Sequence, residues 1–515
     1  MHGNLNHLSI GRDSLEDNRD HLVVTKVNEV YLRVKCERHV AQELSEFFTF
    51  FVPGHQFVPA FRNKIWDGKI RLFDLRSYQI YFGLLPYLQE FCESRDYTLS
   101  YLDDVDLEDE FSLYHAKKFA SALNLHSAGR PIEVREHQLD AFVHAMQKRK
   151  TLLLSPTASG KSLIIYLIVR QLMDYQNLRG LIIVPTTSLV EQLYSDFADY
   201  SDKNGFDTPN NVHKIYQGKD KNTKKPLTIS TWQSLYQLPK EYFEQFDYII
   251  GDEAHLFKAQ SLTGIMSSAI NTKYRIGLTG TLDGTKTHKL VLEGLFGVTK
   301  RVVSTKELID KKQLSEFDIK CLILKHPDTI CEDLKDCTYQ EEIAYLIASE
   351  ARNKFIKNLA VSLGNNTLIL YQMVAKHGQV LYDMIRNTEK IGDRKVFFVH
   401  GGTETEDREN IRKIMETEQD AIVVASFGTF STGINIRNLH NIIFASPSKS
   451  RVRSLQSIGR GLRQAEGKEK ATLYDIADDL RHKKHMNFTL RHFVERVKIY
   501  TEEKFPFKTY KIGLK

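Results

Sequence analysis

Residues 152–162 constrain the fold of this chain more than any other stretch. Their sequence, LLLSPTASGKS, is an apolar run that breaks into small residues, ends in Gly-Lys-Ser and leads into an apolar helix over 163–172. A buried strand, a short loop and a helix in that order direct backbone N–H groups and a helix N-terminus at one point, which suits phosphate. The pattern follows G-x-x-x-x-G-K-[ST], with Ser155 where the first glycine is usual. A plain strand-to-helix turn is the alternative interpretation.

The loop predicts a site for the phosphates of ATP. Lys161 would reach the β- and γ-phosphates, and Ser162 would bind Mg²⁺. The remaining loop residues expected around the phosphates are Pro156, Thr157, Ala158, Ser159 and Gly160. Upstream, in EVREHQLDAF (133–142), Gln138 follows Arg135 and His137 just before a helix. Because a side-chain amide both donates to and accepts from an adenine edge, we expect Gln138 to contact the base, with Arg135 beside it. An ordinary surface residue on a helix is the alternative interpretation of Gln138.

Strand, turn and helix then recur along the chain, which predicts an α/β fold with parallel sheets covered by helices. The segments that carry this pattern in the first half are 181–193, 227–235, 247–257 and 275–284, and those in the second half are 366–381, 395–410, 421–436, 441–451 and 471–479. The fold class is therefore two tandem parallel-sheet lobes preceded by a small N-terminal α+β domain. Ligands of such sheets sit at the carboxyl ends of the strands.

Chemistry beyond the phosphate loop is predicted at two places. Asp252 and Glu253 follow an apolar strand, where two adjacent carboxylates are costly unless a cation is near. Asp252 would hold Mg²⁺ through water, and Glu253 would polarise the attacking water. In the second half, QSIGRGLR places Arg460 and Arg463 on one helical face, where they would neutralise the γ-phosphate. A solvated turn and a basic surface helix are the respective alternatives.

Composition limits the class of protein. At 515 residues the chain is too long for one core, and 42% hydrophobic residues with 12 prolines argue against a large disordered region. The net charge of +6 permits an anionic partner. Five cysteines without C-x-x-C pairing fit a reducing cytosol and argue against zinc. With no signal-peptide core and no run long enough to span a membrane, we expect a cytoplasmic protein without a membrane partner.

The expected divisions are a flexible tail over 1–20, an N-terminal nucleic-acid-binding domain over 21–125, the lobes over 126–314 and 315–480, and a basic helical segment over 481–515. The N-terminal domain contains FRNKIWDGKIRLFD, in which cations alternate with aromatic residues around a hairpin turn at Asp67-Gly68. The residues expected to contact nucleic acid there are Arg62, Lys64, Trp66, Lys69 and Arg71. An amphipathic hairpin with core aromatics and solvated cations is the alternative.

As a set, SPTASGKS, IIVPTTSLVEQ, TISTWQSL, DEAH, TGT, FVHGG, ASFGTFSTGINI and QSIGRGLR resemble the helicase motifs of superfamily 2. They span about residues 130–480, and the chain is most similar to the recombination helicases of T4-like bacteriophages over nearly its full length. The resemblance implies two RecA-like lobes and an ATP-dependent DNA helicase that moves 3′ to 5′. Its implied substrates are Holliday junctions, stalled forks and R-loops, in recombination, repair and replication.

The resemblance also implies roles for individual residues. His255, Gln456, Thr279 and Thr281 would couple nucleotide to nucleic acid. Gly433 and Asn435 would contact the nucleotide, although many relatives carry Asp at the position of Asn435. The residues that would touch the DNA backbone are Pro185, Thr186, Thr187, Thr231, His400, Gly401, Ser426 and Thr432.

The implied partners are branched, single-stranded and double-stranded DNA, RNA–DNA hybrids, and a single-strand-binding or accessory protein; a monomer is the default state. Three other functions stay open on the sequence: a duplex translocase of the restriction type, an ATP-dependent RNA helicase, and a nucleic-acid-binding protein with an inactive ATPase fold. The intact Lys161 and Glu253, together with the arginine pair Arg460 and Arg463, argue against the last of these.

Overall fold

The computed structural model describes residues 21–102, 105, 108–216, 220–433, 436–447, 450–463 and 468–514. The predicted tail over 1–20 lies outside these residues. Three bodies follow one another along the chain, a mixed-sheet N-terminal domain and two parallel-sheet lobes, so the predicted fold class is confirmed.

The N-terminal domain is built on a five-stranded mixed sheet, in the order β5-β6-β2-β1-β7 within the described residues. Its elements are β1 (His21–Lys26), β2 (Tyr31–Lys35), α1 (Arg38–Phe47), β3 (Thr49–Phe51), α2 (Pro59–Arg62), β4 (Lys69–Arg71), β5 (Phe73–Asp74), β6 (Gln79–Tyr81), α3 (Leu85–Glu93) and β7 (Thr98–Tyr101). Apolar residues of this sheet, such as Leu22 and Val34, share one continuous core with Phe296 and its neighbours in the first lobe. The domain is therefore packed onto the first lobe.

The first lobe contains a parallel sheet in the order β12-β13-β11-β14-β15-β10-β16 among the described residues. Its strands are β10 (Lys150–Leu154), β11 (Gly180–Val184), β12 (Val212–Ile215), β13 (Leu227–Thr231), β14 (Tyr248–Asp252), β15 (Tyr274–Thr279) and β16 (Thr299–Arg301). The helices are α4 (Leu113–Ala122), α5 (Glu136–Lys148), α6 (Lys161–Gln176), α7 (Thr187–Tyr200), α8 (Thr208–Asn211), α9 (Trp232–Leu235), α10 (Gln260–Ser268) and α11 (Lys286–Phe296), and a small ribbon of β8 (His126–Ser127) and β9 (Arg130–Pro131) precedes α5. Helix α12 (Thr305–Asp310) follows β16, and its Leu308 packs in the core of the second lobe. The buried apolar strands follow the rule for sheets covered on both faces.

The second lobe repeats this architecture, with the described strands in the order β19-β20-β18-β21-β22-β17-β23, all parallel. Its strands are β17 (Glu316–Lys325), β18 (Thr367–Tyr371), β19 (Lys395–Val399), β20 (Ala421–Ser426), β21 (Asn441–Phe444), β22 (Lys470–Asp479) and β23 (Phe507–Gly513). The helices are α13 (Asp328–Asp333), α14 (Tyr339–Ala348), α15 (Glu350–Ser362), α16 (Gln379–Arg386), α17 (Thr405–Thr417), α18 (Phe427–Gly433), α19 (Arg451–Gly461) and α20 (Phe488–Glu502). Because all the described strands of each lobe are parallel, their carboxyl ends lie at one edge of the sheet, where ligands of such sheets bind.

The structure differs from the expected divisions at three points. Val303 and Leu308 lie before the expected boundary at 314, yet they pack in the core of the second lobe. Helix α4 lies before the expected boundary at 125, yet Phe119 and Leu123 pack with Phe142 in the core of the first lobe. The segment over 481–515 is not helical throughout, because β23 pairs in parallel with β17. Pro506 lies between α20 and β23 and cannot continue a helix.

The predicted hairpin at Asp67-Gly68 is wrong. Residues 59–62 form the short helix α2, with Pro59 at its first position, where proline is favoured. Strand β4 instead pairs with β3, which lies on the other side of α2 in sequence. Asp67 and Gly68 form the turn that leads into β4, and Gly68 has a φ of 78°.

Among the residues described, no helix combines the length and apolar character needed to cross a membrane. All five cysteines are free thiols, and Cys92, Cys321 and Cys331 are buried.

Candidate nucleotide site and nucleic-acid surface

The phosphate loop connects β10 to α6, and Lys161 is the first residue of that helix. Gly160 caps the helix with a φ of 85°. A Cβ at this position would lie 2.1 Å from Nε2 of Gln138, so only glycine fits. The ammonium of Lys161 lies 3.4 Å from the carbonyl oxygen of Ser155, at the mouth of the loop.

Ser155, the departure from the usual glycine, is fully buried and supports the loop. Its Oγ lies 2.6 Å from Oγ of Ser159, which donates to the carbonyl oxygen of Pro156 at 2.7 Å. The backbone N–H of Ser155 donates to the carbonyl of Thr279 at the end of β15. The extra hydroxyl therefore adds an internal hydrogen bond instead of obstructing the loop.

Gln138 supports the same loop from behind. Its Oε1 accepts from the backbone N–H of Arg135 at 2.9 Å, and its Nε2 donates to the carbonyl of Ser159 at 3.0 Å. His137 also lies within hydrogen-bond distance of that carbonyl, at 3.0 Å. Gln138 is buried, whereas Arg135 lines the cleft. The structure thus places Arg135, and not the amide of Gln138, on the surface open to a nucleotide.

The acidic pair ends β14 at the base of the cleft. The backbone N–H of Glu253 donates to Oδ1 of Asp252 at 2.9 Å, and Glu253 adopts a φ of 51°. Burial and the neighbouring Glu253 raise the pKa of Asp252 to about 6, against the opposing effect of Lys161. A carboxylate held at this cost gains from a nearby divalent cation. Asp252 and the hydroxyl of Ser162, both in the cleft lining, are hard oxygen ligands that suit Mg²⁺.

The residues expected to couple nucleotide and nucleic acid are connected in space. Nδ1 of His255 lies 3.0 Å from Oγ1 of Thr279 and 3.4 Å from Oε2 of Glu253. Oγ1 of Thr279 donates to the carbonyl of Thr281 at 3.0 Å. A chain of polar contacts therefore runs from the acidic pair to the loop after β15.

The second lobe closes the other side of the cleft, which has a volume of about 520 Å³. Nε2 of Gln456 donates to Oε2 of Glu253 at 3.4 Å, and Arg463 lies in the same lining. Helix α19 packs directly on the phosphate loop, since a Cβ at Gly459 would lie 2.6 Å from Cβ of Thr157. Gly433 is the last residue of α18. The described part of the chain does not include Asn435 or the side chains of Arg460 and Thr432.

The cleft residues that were not predicted from the sequence include Asp196 and Tyr200 of α7, and Arg437 after α18. The hydroxyls of Tyr200 and Ser162 lie 2.8 Å apart. Burial raises the pKa of Asp196 to about 6, opposed by a hydrogen bond with Ser162 and the charge of Arg463. The available signal was an acidic residue that lies three positions after the buried Leu193 and directly before the buried Phe197 on an amphipathic helix.

The residues predicted to touch DNA lie at matching strand ends of the two sheets. In the first lobe, Pro185 to Thr187 follow β11 and Thr231 ends β13; Gln233 links these loops by donating to the carbonyl of Pro185 at 3.3 Å. In the second lobe, His400 and Gly401 follow β19, and Ser426 ends the adjacent β20. In each lobe the loops predicted to contact DNA therefore follow strands that are among the first three of the sheet order.

The five predicted N-terminal contacts are not equivalent. Trp66 donates its ring N–H to the carbonyl of Lys69 at 2.9 Å, and Arg71 is paired with Asp67. The ammonium of Lys69 lies over the ring of Phe51, 5.0 Å from its centre. Arg62 and Lys64 are exposed.

Three family models match the chain: "Type III restriction enzyme, res subunit" over 131–284, "DNA helicase UvsW, N-terminal" over 24–103, and "Helicase conserved C-terminal domain" over 350–465. The ATP-dependent DNA helicase UvsW of Enterobacteria phage T4 is 34% identical over 501 residues, covering 94% of this chain and 98% of the relative. The crystal structure of T4 UvsW covers 96% of this chain and 100% of its own, at 32% identity and a TM-score of 0.52. The type ISP restriction-modification enzyme LlaBIII bound to DNA shares the fold, at 15% identity and a TM-score of 0.56, over 82% of this chain and 34% of its own.

The fold, the cleft and the two helicase-domain matches define the class as ATP-dependent helicases of superfamily 2. Given its identity to the T4 protein over nearly the full length of both, the chain belongs to the UvsW family of ATP-dependent DNA helicases. The predicted enzyme class and the resemblance to helicases of T4-like phages are both confirmed.

Proposed function

We propose that this helicase hydrolyses Mg²⁺–ATP between its lobes and uses the energy to unwind or branch-migrate branched DNA, moving 3′ to 5′. The observation that carries the proposal is the contact from Gln456 of the second lobe to Glu253 of the first. It joins the carboxylate best placed to act on water to the lobe that must move. The substrates would be Holliday junctions, stalled forks and R-loops in recombination, repair and replication.

The chemistry would be divided among residues of both lobes. Lys161 and the backbone N–H groups of the loop bind the phosphates, and Ser162 with Asp252 would hold Mg²⁺, which when bound neutralises phosphate charge. Glu253 orients the attacking water and accepts its proton. Arg463, with Arg460, would offset charge on the γ-phosphate from the second lobe.

Nucleic acid would cross both sheets at the matching strand ends. Thr186 caps α7 and accepts from the backbone N–H of Leu189, so its loop has a defined shape at a helix N-terminus. Such termini favour phosphate groups. Because the first-lobe and second-lobe loops sit on separate bodies, closing the cleft would shift one set of DNA contacts against the other.

The test is strand separation by the purified protein on a four-way junction, a fork, a linear duplex and an RNA duplex, with ATP and Mg²⁺. The proposal expects ATP-dependent separation of the branched substrates, and none with Lys161→Ala. ATP-dependent movement along duplex without strand separation would point to a restriction-type translocase, and separation of RNA alone to an RNA helicase. Either result would overturn the proposal.

A monomer acting in the host-cell cytoplasm, with RNA–DNA hybrids as further substrates, fits this role. Sedimentation with and without junction DNA measures whether the protein is a monomer. A single-strand-binding or accessory protein would assist by trapping the separated strands.

A further inference from the structure

One part of the N-terminal domain exposes apolar side chains that a monomeric surface usually covers. Ile65 is 80% exposed, Phe57 is 69% exposed, and Phe51 is 54% exposed, with Val58 also at the surface. We call Phe57, Val58 and Ile65, with Phe51 at their base, the apolar tip. All four belong to the 49–71 segment, and a cluster of this kind marks an interaction site.

The tip is a folded structure. The backbone N–H of Ile65 donates to the carbonyl of Ala60 at 2.9 Å, and the backbone N–H of Phe57 donates to the carbonyl of Gly54 at 2.9 Å. Beneath it, the His55 ring stacks on Phe51 with centroids 4.9 Å apart. The apolar side chains are therefore held by a backbone with its own local hydrogen bonds, and aromatic packing supports this backbone from below.

The base of the tip contacts the N-terminal turn of helix α11 in the first lobe. Oγ1 of Thr287 donates to the carbonyl of Phe51 at 3.3 Å, and the ammonium of Lys286 lies 5.6 Å from the centre of the Phe50 ring. Both lobe residues are in the first turn of α11, which follows the loop after β15. The tip thus stands beside the strand-end loops that carry Thr279 and Thr281.

Charge identifies the kind of partner. The 49–71 segment contains four cations, Arg62, Lys64, Lys69 and Arg71, and one acid, Asp67. Asp67 is paired with Arg71, so the other cations border the tip without an acidic neighbour in the segment. The matching surface is anionic at its rim and apolar at its centre, as is the end of a DNA helix, where phosphates flank an exposed base pair.

We propose that the apolar tip stacks on the terminal base pair where strands part at a DNA branch, while Arg62 and Lys64 contact the flanking phosphates. The proposal rests on the proposed function, because a branch point is its ligand. It gives the N-terminal domain a role in recognising branched structure, which the strand-end loops, contacting backbone alone, would not distinguish.

The experiment compares wild type, Phe57→Ala/Ile65→Ala and Tyr114→Ala on forked DNA carrying 2-aminopurine at the branch point. Tyr114 is a matched control because it is 71% exposed and lies on α4. We expect the double variant to bind the fork about five-fold or more weakly and to lose the fluorescence change at the branch, since one stacked base contributes a factor of this size. The control should behave as wild type, and Ile65→Leu should retain binding.

A second measurement separates this inference from the proposed function. Hydrolysis of ATP stimulated by single-stranded DNA should remain within about two-fold of wild type in the double variant, because the motor itself is untouched. Equal binding of the fork by the double variant and wild type would overturn the inference, as would equal losses on fork, linear duplex and single strand. If wild type shows no DNA-stimulated hydrolysis at all, the proposed function fails instead.

Discussion

The two lobes share a sheet order but end their corresponding strands differently. The sixth strand in each order is β10 in the first lobe and β17 in the second. After β10 the chain forms the phosphate loop with Gly160 and Lys161. After β17 comes His326, which is buried and lies 3.1 Å from Oδ1 of Asp478. The same framework therefore opens to a ligand in one lobe and is closed by a side-chain network in the other.

Two buried aspartates near the ends of other strands, Asp252 on β14 and Asp478 on β22, show the same contrast. Burial alone would raise the pKa of Asp478, but Arg352 and His326 lower it to about 2. Arg352 donates to both carboxylate oxygens, at 2.9 and 3.0 Å. Burial and Glu253 instead raise the pKa of Asp252. In the second lobe the carboxylate of Asp478 stabilises the fold through its buried ion pair. In the first lobe the carboxylate of Asp252 remains available to a bound cation.

The largest effect should come from breaking the closed network. Arg352→Met leaves the carboxylate of Asp478 buried without its main partner and should lower the free energy of unfolding by about 3–5 kcal/mol. Urea-induced unfolding measures this, with Lys354→Met, an exposed position on the same helix, as the control. Equal unfolding midpoints for the two variants would mean that this ion pair does not stabilise the lobe.

Replacing Lys161 at the end of the phosphate loop should lower the rate of ATP hydrolysis and leave folding intact. Lys161→Ala should reduce steady-state ATP hydrolysis about 10²–10³-fold, because one charged donor to the phosphates is lost. Lys325, the exposed last residue of β17, is the matched position in the second lobe. Lys325→Ala should hydrolyse ATP as wild type does, and a comparable loss there would remove the distinction between the lobes.

The contact between lobes should contribute less. Gln456→Ala removes the donor to Glu253, and we expect DNA-stimulated hydrolysis to fall about ten-fold, within the range of coupling between sites. Gln192→Ala, in the same cleft lining, is the control. Hydrolysis that falls equally with and without DNA would show that Gln456 does not couple the two.

The smallest effect is expected at Tyr200. Tyr200→Phe removes one hydrogen bond from the hydroxyl of Ser162. The Mg²⁺ concentration for half-maximal binding of a fluorescent ADP analogue should therefore rise about three-fold. Tyr194→Phe on the same helix should have no effect. An unchanged Mg²⁺ requirement in Tyr200→Phe would exclude a role in positioning Ser162.

The sequence predicts best what depends on neighbouring residues. The loop at Gly160 and the acidic pair at Asp252 lie in contiguous strand-turn segments whose pattern determines their structure. Parallel packing then brings the strand ends together, which also follows from the pattern.

Features that depend on distant contacts were not predictable in the same way. Tyr200 reaches Ser162 because α7 packs beside α6, and β23 exists because β17 offers it a free edge. Gln138 is drawn behind the loop by the carbonyl of Ser159. The cations that border the apolar tip were visible in the sequence, but the tip itself was not predictable, because the exposure of Ile65 is a property of the folded segment.

The most direct test of the contrast between the lobes is thermal unfolding of Asp252→Asn and Asp478→Asn at pH 7. The folded pKa of Asp252 lies above its ordinary value of 3.8, so its charge destabilises the fold at pH 7. The asparagine should raise the midpoint by on the order of 2 °C while abolishing hydrolysis, and the gain should vanish as the pH falls through 6 towards 3.8.

The pKa of Asp478 is lowered, so its charge stabilises the fold above pH 3.8, and Asp478→Asn should lower the midpoint at pH 7. Shifts of opposite sign would support an open, ligand-directed charge in the first lobe and a closed, structural one in the second. Midpoints that fall together in both variants would contradict it.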